Sequence, residues 1–191
     1  GSTGAIYIGN LETKSPQLEG NFGEFMSWVD EFRDMKIRTN ADTPRDVKQA
    51  LEFGAEGIGL CRTEHMFFEK SRILTMRKMI LSEKLEDRQK YLEQLLPYQK
   101  DDFKGLFKIM DGMPCIIRLL DPPLHEFLPQ DDKLQKEVAE EMGISPDKIK
   151  EAVVNLHEFN PMLGFRGCRL GVKYPEINHM QCRAIFLAAL E

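Results

Sequence analysis

The stretch GAEGIGLCRTEHMFF, residues 54–68, contains the clearest strand signal of the sequence. Its centre, Ile58–Cys61, is a short apolar run that follows a glycine, which is typical of a strand buried on both faces. Polar residues 62–65 begin directly where the apolar run stops. A helix is predicted upstream, because Thr43 can cap its N-terminus and Pro44 suits the first helical position. This helix is expected to run to about residue 53 and stop at the following glycine.

The same alternation of strand and helix continues on both sides of that stretch. Residues 36–40 and 114–120 are predicted as two more short strands, and residues 70–110 as a charged helical region with breaks near Ser82 and Pro97. Short apolar strands separated by helices favour parallel pairing with right-handed crossovers. Two architectures fit this pattern: a doubly wound open sheet and a (β/α) barrel.

The rest of the chain is assigned by composition and periodicity. Residues 1–9 are predicted as a turn and a short strand, residues 10–21 as a linker, and residues 22–35 as a helix. Residues 131–159 are expected to be mostly helical, with a restart at about Asp147, residues 160–171 irregular, and residues 177–190 helical. Three or four strands are too few for a full barrel, which needs eight strands and about 250 residues. The chain also ends on a helix, and we therefore expect it to be part of a longer one.

The composition excludes some classes of function. The net charge of −5 provides no basic excess for binding nucleic acid or a membrane surface. No apolar run approaches the roughly 18 residues that a membrane span needs, and no signal sequence opens the chain. The four cysteines are not arranged as C-x-x-C, so buried, reduced thiols are favoured over disulfides. A cytoplasmic or organellar location is expected, rather than secretion.

Two of the predicted strands end in arginine, Arg62 and Arg118. Because the carboxyl ends of parallel strands line the ligand site of α/β folds, the two guanidinium groups would converge on one anion, preferably a phosphate or carboxylate. Arg38, in the first predicted strand, could join them or point outward. The alternative is that each arginine forms a structural ion pair with a nearby acid such as Glu64 or Asp121.

Three blocks of sequence resemble the phosphoenolpyruvate (PEP)-utilising enzymes. They are residues 54–68, quoted above, RLLDPPLHEFLP at 118–129 and NPMLGFRGCRL at 160–170. The resemblance spans nearly the whole chain and implies a partial (β/α)8, TIM-type barrel, roughly its first half, with long helical insertions. It also implies that residues 1–21 are the end of a preceding phosphohistidine domain and a linker, and that residues 22–191 are the N-terminal portion of the PEP/pyruvate-binding barrel. Residues 1–4 could instead be a cloning remnant.

The resemblance is strongest to the branch of the family that interconverts ATP, phosphate and pyruvate with AMP, diphosphate and PEP. It implies that Arg62 and Arg118 bind the substrate, with Arg166 as a further basic position near the phosphoryl group. Mg²⁺ is implied as the cofactor, with its ligands beyond residue 191, and no catalytic residue or metal ligand is expected within this chain. The implied partners are PEP or pyruvate and a swivelling phosphohistidine domain of the same full-length chain. The full-length enzyme is expected to be a homodimer and to bind ATP outside this chain.

Other candidates are weaker on the sequence alone. His65 could touch substrate, but the apolar residues after it favour a structural role. His125 and Glu126 follow a Pro-Pro turn, where a metal role is disfavoured, and His157 and His179 have no partner at metal-ligand spacing. Cys61 and Cys115 lie inside apolar strands, where packing is favoured over reactivity. The chain alone is expected to be inactive. Two alternatives remain: a non-catalytic anion-binding or regulatory module with the same half-barrel, and a structural domain whose arginines pair only with its own acids.

Overall fold

The computed structural model describes residues 3–12 and 17–191, in two compact units that divide between Lys36 and Ile37. The first unit contains helix α1, Gly20–Phe32, which confirms the helix predicted over residues 22–35, shifted by two to three residues. The strand predicted within residues 1–9 is wrong for residues 3–9, which have no strand conformation; residues 1 and 2 lie outside the described part. Residues 3–12 and 17–36 contain no second strand with which residues 3–9 could pair, and a single short strand is not stable by itself. Residues 13–16 of the predicted linker also lie outside the described part.

The second unit is built on a small parallel sheet. Its strands are β1 (Thr39–Asn40), β2 (Ile58–Arg62) and β3 (Cys115–Arg118), in the spatial order β1-β2-β3 and all parallel. Helix α2 (Pro44–Glu52) connects β1 to β2, while α3 (Lys70–Ile80) and α4 (Leu85–Met110) connect β2 to β3. The start of α2 is confirmed, because the Thr43 hydroxyl accepts a hydrogen bond from the Asp46 N–H at 3.2 Å and Pro44 occupies the first turn.

Four further helices follow the sheet: α5 (Asp132–Met142), α6 (Pro146–Leu156), α7 (Cys168–Lys173) and α8 (Pro175–Ala189). The predicted helix restart near Asp147 is confirmed, since the Ser145 hydroxyl accepts from the Asp147 N–H at 3.2 Å at the start of α6. The prediction that residues 160–171 are irregular is wrong at its C-terminal end, where α7 begins at Cys168. Leu170 of this short helix is 1% exposed, so burial of one side chain stabilises a turn that its glycines disfavour.

Helix α4 carries the largest continuous part of the core, and α8 packs along it. The side chains that α4 buries include Leu92, Leu95, Leu96, Phe103 and Leu106, and α8 contributes Ile177, Met180, Ala184 and Ala188. A second, smaller cluster lies between α5 and α6 around Val138, Ala139 and Ile149. Both helix pairs therefore bury their apolar faces against each other, away from water.

The predicted break at Pro97 is wrong, because α4 continues through it from Leu85 to Met110. A proline in a helix interior removes one backbone hydrogen bond and costs about 3 kcal/mol. Here its neighbours Leu95, Leu96 and Gln99 are all at most 8% exposed, so their burial offsets that cost. The predicted break at Ser82 is confirmed, since α3 ends at Ile80 and α4 begins at Leu85.

The α/β class with a parallel sheet is thus confirmed, and it places the carboxyl ends of β2 and β3 side by side. Arg62 and Arg118 are directly opposite each other in the parallel register. The three strands form an open sheet in which β1 and β3 each have one unpaired edge within the described residues. The closure into a barrel and the domain boundary after residue 21 stay predictions.

Candidate functional site

The candidate site is a cluster of three arginines and three carboxylates at the carboxyl ends of β2 and β3. Arg62 and Arg118 are the last residues of the two strands. Arg166 joins them from the loop before α7 through a carboxylate that follows β3. The structure therefore joins Arg118 and Arg166 through Asp121, which they share, and places Arg62 opposite Arg118 in the strand register.

Arg62 is held by Asp42, which lies just beyond β1. One carboxylate oxygen accepts from the backbone N–H of Arg62 at 2.6 Å, and the other lies 3.2 Å from Nε and 3.0 Å from Nη2 of the same residue. The Nδ1 atom of His65 lies 2.7 Å from that second oxygen. Because a carboxylate only accepts, this contact places a proton on Nδ1. Asp42 is thus the fixed point on which the Arg62 guanidinium and the His65 ring are oriented.

Arg118 is held from two sides. Its Nη2 atom forms a close ion pair with Glu64, and its Nη1 atom lies 3.4 Å from Oδ2 of Asp121. Glu64 belongs to a short 3₁₀ turn, Thr63–Phe67, that begins directly after β2. The residue that pairs with Arg118 therefore lies two positions after Arg62. The Nε atom of Arg118 and the Oε2 atom of Glu64 are buried without a hydrogen-bond partner among the described residues. The guanidinium is therefore restrained mainly at its Nη atoms.

Asp121 is shared by Arg118 and Arg166. It forms a close ion pair with Nη2 of Arg166, and its other oxygen lies 3.4 Å from Nε of the same residue. This hydrogen bond raises the pKa of Arg166. The backbone is tied in the same place, because the N–H of Gly167 donates to the Asp121 carbonyl at 3.1 Å. Gly167 has φ +52° and ψ −118°, a conformation that only glycine adopts readily.

The acids of the cluster are more buried than the arginines. The exposed fraction of the side chain is 8% for Asp42 and 7% for Glu64, against 36% for Arg62 and 37% for Arg118. The carboxylates thus support the guanidinium groups from the protein side and leave part of each group open to solvent. Among the described residues, the Nη1 atoms of Arg62 and Arg166 have no hydrogen-bond partner. Such an arrangement can grip an anion with several N–H donors and without transferring a proton.

The sequence interpretation missed two parts of this cluster. Asp42 was not predicted. It lies just after the predicted strand 36–40, and a polar residue at a strand end was the same signal that identified the arginines. Gln181 of α8 was missed as well, because nothing in its sequence context marks a buried amide. It is 0% exposed and bonds to residues that follow both strand-end arginines.

The other sequence candidates lie as follows. His65 belongs to the cluster through Asp42, whereas Arg38 is exposed and its stem lies against Gly57 and Gly59 of the β2 region. The His125 ring lies 5.4 Å from that of His157, which is a ring contact and not a shared metal. Cys61 is 0% exposed, and burial raises the pKa of its thiol to about 12. This supports a packing role for Cys61.

The described residues do not fit a Mg²⁺ ion. In residues 3–12 and 17–191 no group of three or more His, Cys, Asp or Glu side chains is arranged to hold a metal. Each carboxylate of the cluster forms an ion pair with an arginine, and the nearby positive charge disfavours binding of a cation. Over the same ranges, no helix is both long enough and apolar enough to cross a membrane.

Comparison with known proteins places this geometry in a family context. Residues 16–191 match the family described as "PEP-utilising enzyme, PEP-binding domain". The chain is 55% identical over 191 residues to the pyruvate, phosphate dikinase of Clostridium symbiosum, covering 100% of this chain and 22% of that protein. It is 57% identical over 189 residues to the pyruvate, phosphate dikinase of Giardia intestinalis, and 55% identical over 193 residues to the "Pyruvate, phosphate dikinase 1, chloroplastic" of Oryza sativa subsp. japonica. These matches cover 99% and 100% of this chain and 21% and 20% of those proteins, respectively. The chain therefore spans about a fifth of the length of the relatives it matches.

Proposed function

The chain belongs to the PEP-utilising enzymes and matches their PEP-binding domain, and on this premise we propose that it is the PEP-binding segment of a pyruvate, phosphate dikinase. Its identity of 55–57% to three such enzymes over essentially its whole length supports the assignment. The observation that carries the proposal is the pairing of Arg62 with Arg118 at the carboxyl ends of adjacent parallel strands. That is where α/β folds bind their ligands.

The proposed reaction interconverts ATP, phosphate and pyruvate with AMP, diphosphate and PEP. In the step that concerns this chain, a phosphoryl group passes between a phosphohistidine and the enolate oxygen of pyruvate. Phosphoryl transfer requires positioning and positive charge around the equatorial oxygens. Arg62, Arg118 and Arg166 supply that charge as planar donors that do not give up a proton near neutral pH. Their role is to bind PEP and to stabilise the transferring group electrostatically.

The three strands are proposed to be the first part of a (β/α)8 barrel. They are parallel, follow each other in chain order, and are connected by helices, as successive strands of such a barrel are. Helices α3 and α4 together occupy a single crossover, so they are the long helical insertion of this architecture. The PEP site would then lie at the carboxyl-terminal face of the barrel.

The remaining chemistry is assigned to residues outside this chain. Mg²⁺ is proposed to be held by ligands beyond residue 191, and the swivelling phosphohistidine domain to belong to the same full-length chain, which we expect to form a homodimer. When bound, Mg²⁺ would supply further positive charge to the phosphoryl oxygens. The chain by itself is expected not to turn over substrate, because the family resemblance assigns the metal ligands and the proton donor to later strands of the full-length protein.

Binding of PEP to the chain tests the proposal. We expect addition of PEP to shift the side-chain Nε–H NMR signals of Arg62 and Arg118. Arg62→Ala or Arg118→Ala should weaken binding by about 1.5–3 kcal/mol, the contribution of a hydrogen bond to a charged group. Arg183→Ala is the matched control, because Arg183 is exposed on α8 and its ion pair among the described residues is with Glu93, at 2.7 Å.

The outcome of the same titration separates the alternatives. Binding of PEP that is much tighter than binding of inorganic phosphate, and that is lost in both variants, supports a PEP site. Equal binding of phosphate and PEP would favour a general anion-binding module. Absence of binding in a folded chain would favour the structural alternative, which is consistent with the ion pairs that every arginine of the cluster makes.

A further inference from the structure

Gln181 lies in the interior beneath the ends of β2 and β3. It is on α8, is 0% exposed, and uses its whole amide group. Its Oε1 atom accepts from the backbone N–H of Leu120 at 2.7 Å, and its Nε2 atom donates to the Thr63 hydroxyl at 2.9 Å and to Oε1 of Gln99 at 3.0 Å. All three contacts are long-range, so this side chain connects α8 to segments that are distant in sequence.

The directions of these hydrogen bonds are fixed by chemistry. A backbone N–H can only donate, so the oxygen of the Gln181 amide must face Leu120 and its NH₂ group must face Thr63 and Gln99. The Thr63 hydroxyl accepts from Gln181 and is therefore free to donate its own hydrogen to the Arg118 carbonyl, which lies 2.9 Å away. Breaking one link leaves a buried polar group without a partner.

This chain of hydrogen bonds reaches the backbone at the Arg118 carbonyl and at the Leu120 N–H, and it connects both to the side chain of Thr63. Thr63 directly follows Arg62, while Leu120 comes two residues after Arg118, whose carbonyl is the final acceptor. We propose that Gln181 is a positioning residue that holds the segment after Arg118 against Thr63 and thereby sets the position of Arg118 relative to Arg62 and the fit of both guanidinium groups to PEP. The inference rests on the proposed function for its ligand, and on the contacts of Gln181 for its geometry.

Gln99 provides a matched control for a merely structural role. It is also a glutamine at 0% exposure, and it shares one hydrogen bond with Gln181. Its other contact is with the sulfur of Met66 at 3.3 Å, and it does not touch the backbone next to either arginine. If buried amides here only stabilise the core, replacing either glutamine will have the same consequences.

The test uses the chain with Gln181→Met or Gln99→Met and three measurements: thermal unfolding, the Nε–H NMR signals of Arg62 and Arg118 without ligand, and PEP affinity. We expect both variants to unfold at lower temperature. Only Gln181→Met should move the two arginine signals and weaken PEP binding by about tenfold, as a misplaced charged contact does. Gln99→Met should leave the affinity within about twofold.

A second variant keeps the inference testable if the Gln181→Met chain does not fold. Thr63→Val interrupts the same chain of hydrogen bonds at its middle and keeps a β-branched side chain, and it should move the same signals. Arginine signals that stay in place in Gln181→Met and Thr63→Val, or that move equally in Gln99→Met, would overturn the inference. A folded wild-type chain that does not bind PEP would show that the later strands are needed to form the site, and the ligand-free arginine signals would still decide the role of Gln181.

Discussion

Replacing Gly167 with alanine tests how the cluster is held together. A Cβ atom at this position would lie 2.8 Å from Oδ1 of Asp121, about 0.6 Å inside the 3.4 Å at which ordinary contact begins. The Asp121 carboxylate, which Arg118 and Arg166 share as a partner, would therefore have to move. The backbone is also strained, because φ of +52° with ψ of −118° is unfavourable for any residue with a side chain.

Two effects of different origin are expected from Gly167→Ala. The backbone strain should lower the free energy of unfolding by about 2 kcal/mol, which corresponds to a fall of roughly 4–8 °C in Tm for a chain of this size. The displaced carboxylate should weaken PEP binding by about tenfold, the loss expected for one misaligned charged hydrogen bond. Differential scanning calorimetry and a PEP titration measure the two effects separately.

Gly143→Ala is the control for the strain alone. Gly143 also has a positive φ, +66°, but a Cβ atom there would meet nothing within 4 Å. It should therefore lower Tm and leave the PEP affinity unchanged. If Gly167→Ala behaves like Gly143→Ala, with normal affinity, then Asp121 does not set the position of the arginines and the reasoning is refuted.

Three further predictions concern separate parts of the molecule. Asp121→Asn keeps the size of the side chain but removes its charge, so we expect weaker PEP binding because both arginine partners lose their alignment. Unchanged binding in titration calorimetry would contradict this orienting role, and tighter binding would show that the carboxylate repels the ligand. Pro97→Ala restores a missing N–H in the middle of α4 and should raise the free energy of unfolding by about 1–3 kcal/mol in urea denaturation. A destabilised variant would contradict this and would mean that the restricted backbone of proline in the unfolded chain outweighs the restored hydrogen bond. Cys168 is exposed and should react first with iodoacetamide at pH 8. Burial raises the pKa of Cys61 to about 12, so only about one part in ten thousand of this thiol is ionised at pH 8, and it should react only after unfolding. Mass spectrometry of the labelled peptides checks this order.

Local chemistry made part of the fold predictable from sequence. The start of α2 depends on Thr43 and Pro44, which are adjacent and need no tertiary contact to act as a cap and a first turn. The same holds for β2, because a short apolar run between a glycine and polar residues can be buried in few other ways. Its last residue, Arg62, was therefore found as a site candidate together with Arg118.

Long-range packing decided what the sequence did not reveal. Asp42 is separated by 20 residues from Arg62, and Gln181 by 118 residues from Thr63, so no local pattern records either contact. Pro97 was expected to interrupt α4 because local propensity disfavours a proline inside a helix, but burial of the neighbouring side chains dominates. The resemblance to a family supplied Arg166, which composition and spacing alone did not identify.

The proposed role of Arg62 and Arg118, as PEP-binding arginines of a pyruvate, phosphate dikinase, can be tested in a complete enzyme. The most direct test replaces the matching segment of the Clostridium symbiosum enzyme, which is 55% identical, with residues 1–191 and measures ATP formation from AMP, diphosphate and PEP. We predict an active chimera that loses activity by about 100-fold or more with Arg62→Ala or Arg118→Ala and is unaffected by Arg183→Ala. A folded, active chimera that tolerates both arginine substitutions would contradict the claim.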